Sequence, residues 1–180
     1  MQKKYLKIAL YGGSFDPPHI GHKAIVEALE ELDYIDKIII MPTFLNPFKS
    51  ESHAPSELRF KWLKEIFNKF KNVKIDRYEV EQNRQVPTIE SVKYLLKTYK
   101  DIYLVIGADN LASLKEWNSY QELKDLVTFI VVPRDKILVD KKFIQLEVDE
   151  KISSSELRDN INISMLPQVC AAEIEQYYKK

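Results

Sequence analysis

Short apolar runs alternate with longer segments of helical periodicity along most of the 180-residue chain. The apolar runs predict buried β-strands, because they are four to six residues long and most of them stop at a glycine or a proline. They lie at 6–11, 37–41, 73–76, 102–106, 127–132 and 143–148. A polar, proline-containing loop at 42–54 follows the second run.

Between these runs, apolar residues recur every three or four positions, which predicts amphipathic helices. The helical segments lie at 20–32, 58–70, 88–99, in parts of 109–126, and at 154–162 and 167–178. Thr88 stands just before one apolar stripe and is predicted to be the N-cap of its helix. In the last segment we expect Ile174, Tyr177 and Tyr178 to pack rather than to act on a ligand.

Strands that alternate with helices predict βαβ units and an α/β fold of the doubly wound, mostly parallel, Rossmann-like type. We expect residues 1–180 to form a single domain, because the chain shows no linker or internal repeat. Such folds bind ligands beyond the carboxyl ends of the strands, where the strand order reverses. The residues after three of the predicted strands, at 12–16, 107–109 and 133–135, are therefore expected to share one crevice.

Composition excludes several classes of function. Lys plus Arg equals Asp plus Glu, at 27 each, so the general basic footprint of a nucleic-acid-binding protein is absent and no nucleic acid partner is expected. The chain has no convincing signal peptide and no apolar stretch of about 20 residues, which favours a cytoplasmic protein without a membrane partner. Cys170 is the single cysteine, has no disulfide partner, and is expected to be inert.

The segment GGSFDPPHIGH at 12–22 joins the first strand to the first helix. Its glycines bring backbone N–H groups close to a ligand, and the helix start adds free N–H groups and a positive dipole end. His19 and His22 share one face of the first turn, and Gly21 leaves room beside them for a base or sugar. A plain strand–turn–helix junction does not explain these three residues. We therefore interpret the segment as a phosphate site, although its glycine spacing matches neither GxxxxGK[ST] nor GxGxxG.

This segment resembles the signature of the nucleotidylyltransferase superfamily, whose hallmark is a His-x-Gly-His element after the first strand. The resemblance implies that the segment binds ATP, and that His19 and His22 contact the triphosphate and stabilise the transition state. It also implies nucleotide contacts from the turn and the helix start, at Gly12, Gly13, Ser14, Phe15 and Gly21.

The segment ISSSELR at 152–158 lies late in the chain. Taken alone, it is best interpreted as N-capping of a helix by Ser153 or Ser154. The same superfamily, however, has an ISS-x-x-x-R element in this place. The resemblance implies that ATP phosphates contact Ser153, Ser154 and Ser155, and that Arg158 grips the β- and γ-phosphates with its forked guanidinium.

Further segments resemble one branch of the superfamily, the nicotinate-nucleotide adenylyltransferases. PTFLNPFK at 42–49 is similar to the loop after their second strand, with Lys49 as its basic residue and Phe48 in place of the usual histidine. VPTIESVKYL at 86–95 is similar to their Ser/Pro-x-Thr element. This similarity implies that Thr88 offers a helix-end N–H to the carboxylate of nicotinate.

The longest match to this family is VIGADNLASLKEWNSYQEL at 105–123, in which Gly-x-Asp is followed by a tryptophan. The resemblance implies that Asp109 binds the ribose and that Trp117 stacks on the pyridine ring. It also implies that the amide of Asn118 meets the carboxylate of nicotinate. In VTFIVVPRD at 127–135, the resemblance implies a phosphate contact from Arg134.

The resemblance thus implies an enzyme of NAD biosynthesis that transfers the adenylyl group of ATP to nicotinate mononucleotide and releases pyrophosphate. Mg²⁺ is expected to be carried by the ATP phosphates, because the chain has no evident carboxylate cluster for it. Two alternatives stay open: another adenylyltransferase of the superfamily, such as one acting on phosphopantetheine, and a non-catalytic nucleotide-binding module. Thr88, Asp109 and Trp117 argue against the first, and the two histidines with Arg158 argue against the second.

Overall fold

A parallel β-sheet forms the centre of the molecule in the computed structural model, which describes residues 6–149 and 152–179. Its strands in chain order are β1 (Lys7–Gly13), β2 (Lys37–Pro42), β3 (Val73–Ile75), β4 (Asp101–Gly107), β5 (Val127–Val132) and β6 (Ile144–Gln145). Within the described residues the order across the sheet is β3-β2-β1-β4-β5-β6, and every neighbouring pair is parallel. The predicted α/β, Rossmann-like fold is confirmed.

Helices cover both faces of the sheet, so its central strands are apolar on both sides. The helices are α1 (Ile20–Glu30), α2 (Ser56–Ile66), α3 (Tyr78–Glu81), α4 (Thr88–Leu96), α5 (Tyr120–Leu126), α6 (Ser154–Asp159) and α7 (Ala171–Tyr178), with 3₁₀ turns at Ala108–Asn110, Leu114–Glu116 and Ile163–Met165. In β1, Ala9 packs towards residues of α1, α2, α6 and α7, whereas Ile8 and Leu10 pack towards α4 and α5. The core is therefore two apolar layers that share one sheet.

The structure corrects the sequence-based elements at several boundaries. The last strand is only Ile144–Gln145 rather than 143–148, because it is an edge strand that pairs with β5 alone. The late helices end at 159 and begin at 171, and the residues between them form turns and the short 3₁₀ turn. Thr88 is the first helical residue, and Pro87 holds the N-cap position without a side-chain hydrogen bond, so the predicted Thr88 cap is wrong.

Two further expectations concern the cysteine and the membrane. Cys170 is buried and free, and its burial raises the pKa of the thiol to about 12, as expected of an inert thiol. Across the described ranges, no helix combines the length and the apolar character that a membrane crossing requires.

Candidate active site

One pocket of about 300 Å³ opens at the carboxyl ends of the central strands. Gly12 and Gly13 of β1, Gly107 of β4 and Arg134 beyond β5 all line it. It lies where β1 has β2 on one side and β4 on the other, which is the point at which the strand order reverses. The three turns that were predicted to share a crevice therefore meet in this pocket.

His19 and His22 form a reciprocal cap at the start of α1. The Nδ1 of His19 accepts the backbone N–H of His22 at 3.3 Å, and the Nδ1 of His22 accepts that of His19 at 3.1 Å. The two rings stack with centroids 3.6 Å apart. Because each Nδ1 is an acceptor, each neutral imidazole carries its proton on Nε2 and can donate it to a ligand.

Both imidazoles are neutral at physiological pH. Burial, followed by the positive charge of Arg134, lowers the pKa of His19 to about 3. Burial, His19 and Arg134 together also lower the pKa of His22 well below its usual value. Two stacked neutral rings beside a guanidinium thus give the pocket N–H donors and one positive charge.

Gly21 and Phe15 support this histidine pair. A side chain at Gly21 would place its Cβ 2.9 Å from Nδ1 and Cε1 of His19, so the missing side chain makes room for the His19 ring itself. Phe15 is buried and has a φ of 49°, and its ring packs edge-on against His22 with centroids 4.8 Å apart. Gly21 lines the pocket, but the space predicted there for a base or sugar is taken up by His19.

Asp16 ties the turn before α1 to two distant parts of the chain. Its carboxylate accepts the backbone N–H groups of His53 at 2.7 Å and Ala54 at 3.0 Å, and also the hydroxyl of Tyr178. Burial alone would raise the pKa of Asp16, but these hydrogen bonds and the charge of Arg59 lower it. Tyr178 packs as expected, against Trp62, and in addition its hydroxyl helps to fix the turn.

Arg59 is a structural residue that the motifs did not predict. It is fully buried on α2 (0% exposed), and its guanidinium donates to the backbone carbonyls of Ser14, Thr43, Phe44 and Ala54 at 2.6 to 3.0 Å. It therefore joins the GGSFD turn to both ends of the 42–54 loop. Its burial could have been predicted from the spacing, because Arg59 precedes Trp62 by three residues and Leu63 by four and so lies on the apolar stripe of α2.

The ISSSELR segment lies against the first turn. Ser153 caps α6 by accepting the N–H of Glu156, as predicted, and the hydroxyl of Ser154 donates to the carbonyl of Pro17 at 2.9 Å. Arg158 donates to the carbonyl of Asp16 and to the hydroxyl of Ser155. Two motifs more than 130 residues apart thus form one continuous structure.

The basic residues gather at the same end of the molecule. Arg134 donates to the carbonyl of Ile152 at 3.2 Å, at the start of the ISSSELR segment. Lys49 is exposed, and its pKa is lowered by partial burial and then by the nearby positive charge of Arg158. Cations placed so closely that Arg158 lowers the pKa of Lys49 favour an anionic ligand.

Phe48, Thr88 and Trp117 line the same pocket. Thr88 opens α4, so its backbone N–H is one of the first, unbonded donors of that helix. The indole Nε1 of Trp117 is buried without a hydrogen-bond partner in the described structure. Asn118 is exposed, does not line the pocket, and its side-chain oxygen accepts the hydroxyl of Ser119.

The predicted site residues divide into two groups. One group lines the pocket: Gly12, Gly13, His19, Gly21, His22, Thr88, Asp109, Trp117 and Arg134. The other group does not line it: Ser14, Phe15, Lys49, Asn118, Ser153, Ser154, Ser155 and Arg158. Most of the second group lie in the first turn, the 42–54 loop or the ISSSELR segment, which hydrogen bonds join to one another.

Glu79 on α3 is a buried acid in the pocket wall that the sequence motifs did not single out. One carboxylate oxygen accepts the hydroxyl of Ser91 at 2.6 Å, and the other is buried with no partner in the described structure. Burial raises the pKa of Glu79 to about 7, because the charged form is poorly solvated there. The sequence gives only a weak indication that Glu79 is buried, namely its position between Tyr78 and Val80 in a four-residue helix.

Glu79 should make the stability of the protein fall as the pH rises. Its pKa is about 7 when folded, against an ordinary 4.5, so the unfolded chain loses this proton first as the pH rises between these values. Between pH 4.5 and 7 the free energy of unfolding should drop by up to about 3 kcal/mol relative to Glu79→Gln, and stay lower above pH 7. Urea denaturation at pH 5 and pH 8 measures this, with Glu81→Gln as an exposed control. Parallel pH profiles of wild type and Glu79→Gln would contradict the prediction.

The site residues do not fit a resident metal. Among the described residues, no group of three or more His, Cys, Asp or Glu side chains could hold a metal ion. The chemistry that these residues offer is instead neutral N–H donors, cationic side chains and the start of α1. Such a set of donors and cations suits an anionic ligand.

Comparison with known proteins agrees with this geometry. Residues 10–160 match the cytidylyltransferase-like family. A protein of Sulfurimonas denitrificans named “Probable nicotinate-nucleotide adenylyltransferase” is 66% identical over 173 residues, which cover 96% of this chain and 95% of that protein. One of the same name from Campylobacter jejuni is 47% identical over 178 residues, covering 97% of this chain and 98% of its own length.

Among solved structures, the fold resembles the nicotinic acid mononucleotide adenylyltransferase of Plasmodium falciparum complexed with NaAD. The TM-score is 0.77, and the alignment covers 97% of this chain and 98% of that one. At 23% identity this likeness shows the fold alone, whereas the sequence relatives show the family. The family predicted from the motifs is confirmed. The chain belongs to the nicotinate-nucleotide adenylyltransferase family and is a nucleotidyltransferase.

Proposed function

We propose that this enzyme transfers the adenylyl group of ATP to nicotinate mononucleotide, giving nicotinate adenine dinucleotide and pyrophosphate, as a step of NAD biosynthesis. The observation that carries the proposal is the reciprocal histidine cap. It holds the Nδ1 atoms of His19 and His22 as acceptors and leaves their Nε2–H groups as the ring donors, in a pocket that Thr88 and Trp117 also line.

The reaction requires little acid–base catalysis by the protein. The phosphate of the mononucleotide has a second pKa of about 6 and is largely dianionic at neutral pH, so it needs no general base. One of its oxygens forms a bond to the α-phosphorus of ATP while the bond from that phosphorus to the bridging oxygen breaks. Pyrophosphate leaves with the electron pair. The protein supplies alignment and neutralises the charge on the α-phosphate and the leaving group.

The ATP end of the site is assigned to His19, His22 and Arg134, which line the pocket. Both imidazoles are neutral in the ligand-free protein, and their Nε2–H groups would donate to the triphosphate. Lys49 and Arg158, which lie close enough for their charges to interact, would hold the leaving pyrophosphate. Asp109, exposed after β4 at the pocket edge, would accept hydrogen bonds from the ribose.

The mononucleotide end of the site is assigned to the start of α4 and to Trp117. The free N–H groups at Thr88 suit the carboxylate of nicotinate, and the face of Trp117 suits its pyridine ring. Mg²⁺ would enter as part of the ATP substrate, consistent with the absence of a metal-binding group in the described structure. A single domain and a cytoplasmic location stay predictions from the sequence.

A pyrophosphate-release assay tests the proposal. The enzyme is given Mg-ATP with nicotinate mononucleotide, its amide counterpart or phosphopantetheine in separate reactions. We expect release with nicotinate mononucleotide to exceed that with the amide, since helix N–H groups favour a carboxylate. Faster release of pyrophosphate with phosphopantetheine would indicate that the chain is a phosphopantetheine adenylyltransferase. Binding of ATP without release from any of the three would indicate a non-catalytic module.

A further inference from the structure

Phe48 is an exposed aromatic residue at the mouth of the pocket. Phe48 is 64% exposed, yet its ring lies beside that of Trp117, with centroids 6.4 Å apart and planes inclined by 40°, and both residues line the pocket. An apolar ring left this open to solvent gains little from burial in the ligand-free protein. Its position therefore suggests that the ring contacts a part of the bound substrate.

The loop around Phe48 is held in place by specific hydrogen bonds. The side chain of Asn46 accepts the N–H of Phe48 at 2.8 Å, and its carbonyl accepts the N–H of Lys49 at 2.9 Å. Gln85 then donates to the carbonyls of Asn46 and Lys49 at 3.3 and 2.9 Å. Because Gln85 precedes Thr88 by three residues, the same segment positions the loop and the start of α4.

The two ring centroids, 6.4 Å apart, are already almost as far apart as they would be with one flat ring inserted between them. Carbon atoms in contact lie about 3.5 Å apart, so a ring held between two others separates them by about 7 Å. An opening of less than about 1 Å, together with a change of tilt, would bring Phe48 and Trp117 parallel to an inserted ring. The pyridine of nicotinate mononucleotide carries a positive charge because its nitrogen is bonded to ribose. Two aromatic faces attract such a cation more strongly than one.

We propose that Phe48 forms the second wall of the pyridine subsite, so that the charged ring of the mononucleotide is held between Phe48 and Trp117. This inference rests on the proposed function. It assigns to Phe48 a role in the affinity and selection of the pyridinium substrate, where the motif resemblance gives a histidine at this position. The polyphosphate contacts then fall to Lys49, Arg158 and the histidine pair.

The test compares Phe48→Leu, which keeps apolar volume but removes the ring, with Phe48→Tyr, which keeps the ring. Phe48→Leu should raise KM for nicotinate mononucleotide roughly tenfold, in line with the loss of one cation–π face, and leave KM for ATP and kcat within about twofold. Phe48→Tyr should behave as wild type. Because the side chain is exposed, both variants should unfold at the wild-type urea concentration.

A second comparison uses the ring charge directly. In the dihydropyridine form of the mononucleotide the ring is uncharged and not aromatic, so wild type should select against it, and Phe48→Leu should lose most of its preference for the form with the charged ring. An unchanged KM for nicotinate mononucleotide in Phe48→Leu overturns the inference, as does an equal rise in both KM values, which would indicate a general closing loop. Wild type that releases no pyrophosphate with nicotinate mononucleotide would instead overturn the proposed function.

Discussion

Replacing His22 with asparagine should reduce kcat by roughly 100- to 1000-fold while the fold persists. Asparagine can place its side-chain oxygen where the Nδ1 of His22 now accepts the backbone N–H of His19, so the cap of α1 is retained. It has no group at the position of Nε2, and the donor to the triphosphate is lost. Steady-state pyrophosphate release measures the rate, and urea denaturation should show a change in stability below about 1 kcal/mol.

The matched variant is His22→Gln. Glutamine can place an N–H near the position of Nε2 but cannot accept the His19 N–H in the same way, so it should lose part of the cap and keep more activity than asparagine. Turnover of His22→Asn within a few-fold of wild type would remove His22 from the proposed mechanism. Equal losses in both variants would mean that the cap geometry, and not the donor, carries the effect.

Replacing Arg59 with methionine should destabilise the protein by about 4 kcal/mol or more. Methionine fills much of the volume, but it leaves four backbone carbonyls without the donor that they share. It also removes the charge that helps to lower the pKa of Asp16. The expected measurement is a large drop in the urea midpoint of unfolding, or failure to accumulate folded protein.

Lys61→Met is the control for Arg59, because Lys61 lies on the same helix and is exposed, where it pairs with Glu173. It should cost less than about 1 kcal/mol. Arg59→Lys should be intermediate, since one ammonium keeps the charge but cannot reach all four carbonyls. Similar stability losses for Arg59→Met and Lys61→Met would contradict the structural role of Arg59.

The repeating pattern of strand and helix was sufficient to predict the fold. Each central strand is buried on both faces, and this produces the continuous apolar runs that the sequence displays. The edges were harder to predict, because β6 has only one neighbour and pairs over two residues. Thr88 was predicted to be a cap from its residue type, yet capping depends on backbone geometry, and the chain places Pro87 there instead.

The site was predictable where its residues sit in contiguous motifs. His19, His22 and Gly21 belong to one turn, and the Thr88 and Trp117 segments each carry their own signature. Arg59 and Glu79 were missed because their roles depend on burial. Charged residues on helices are mostly exposed, so their residue type does not predict that they are buried. Tyr178 was correctly expected to pack, but its bond to Asp16 joins residues 162 positions apart, and spacing along the chain cannot reveal it.

That bond also has a consequence for how the protein is made. Tyr178 is translated 162 residues after Asp16. Until Tyr178 has been made, the carboxylate of Asp16 lacks one of its hydrogen-bond donors, and the turn that carries His19 and His22 is not fully held. A premature stop only a few codons before Tyr178 would leave the sheet complete and the histidine turn without its last support. Such a truncated product would resemble the enzyme in secondary structure and differ from it in how firmly the turn with His19 and His22 is held.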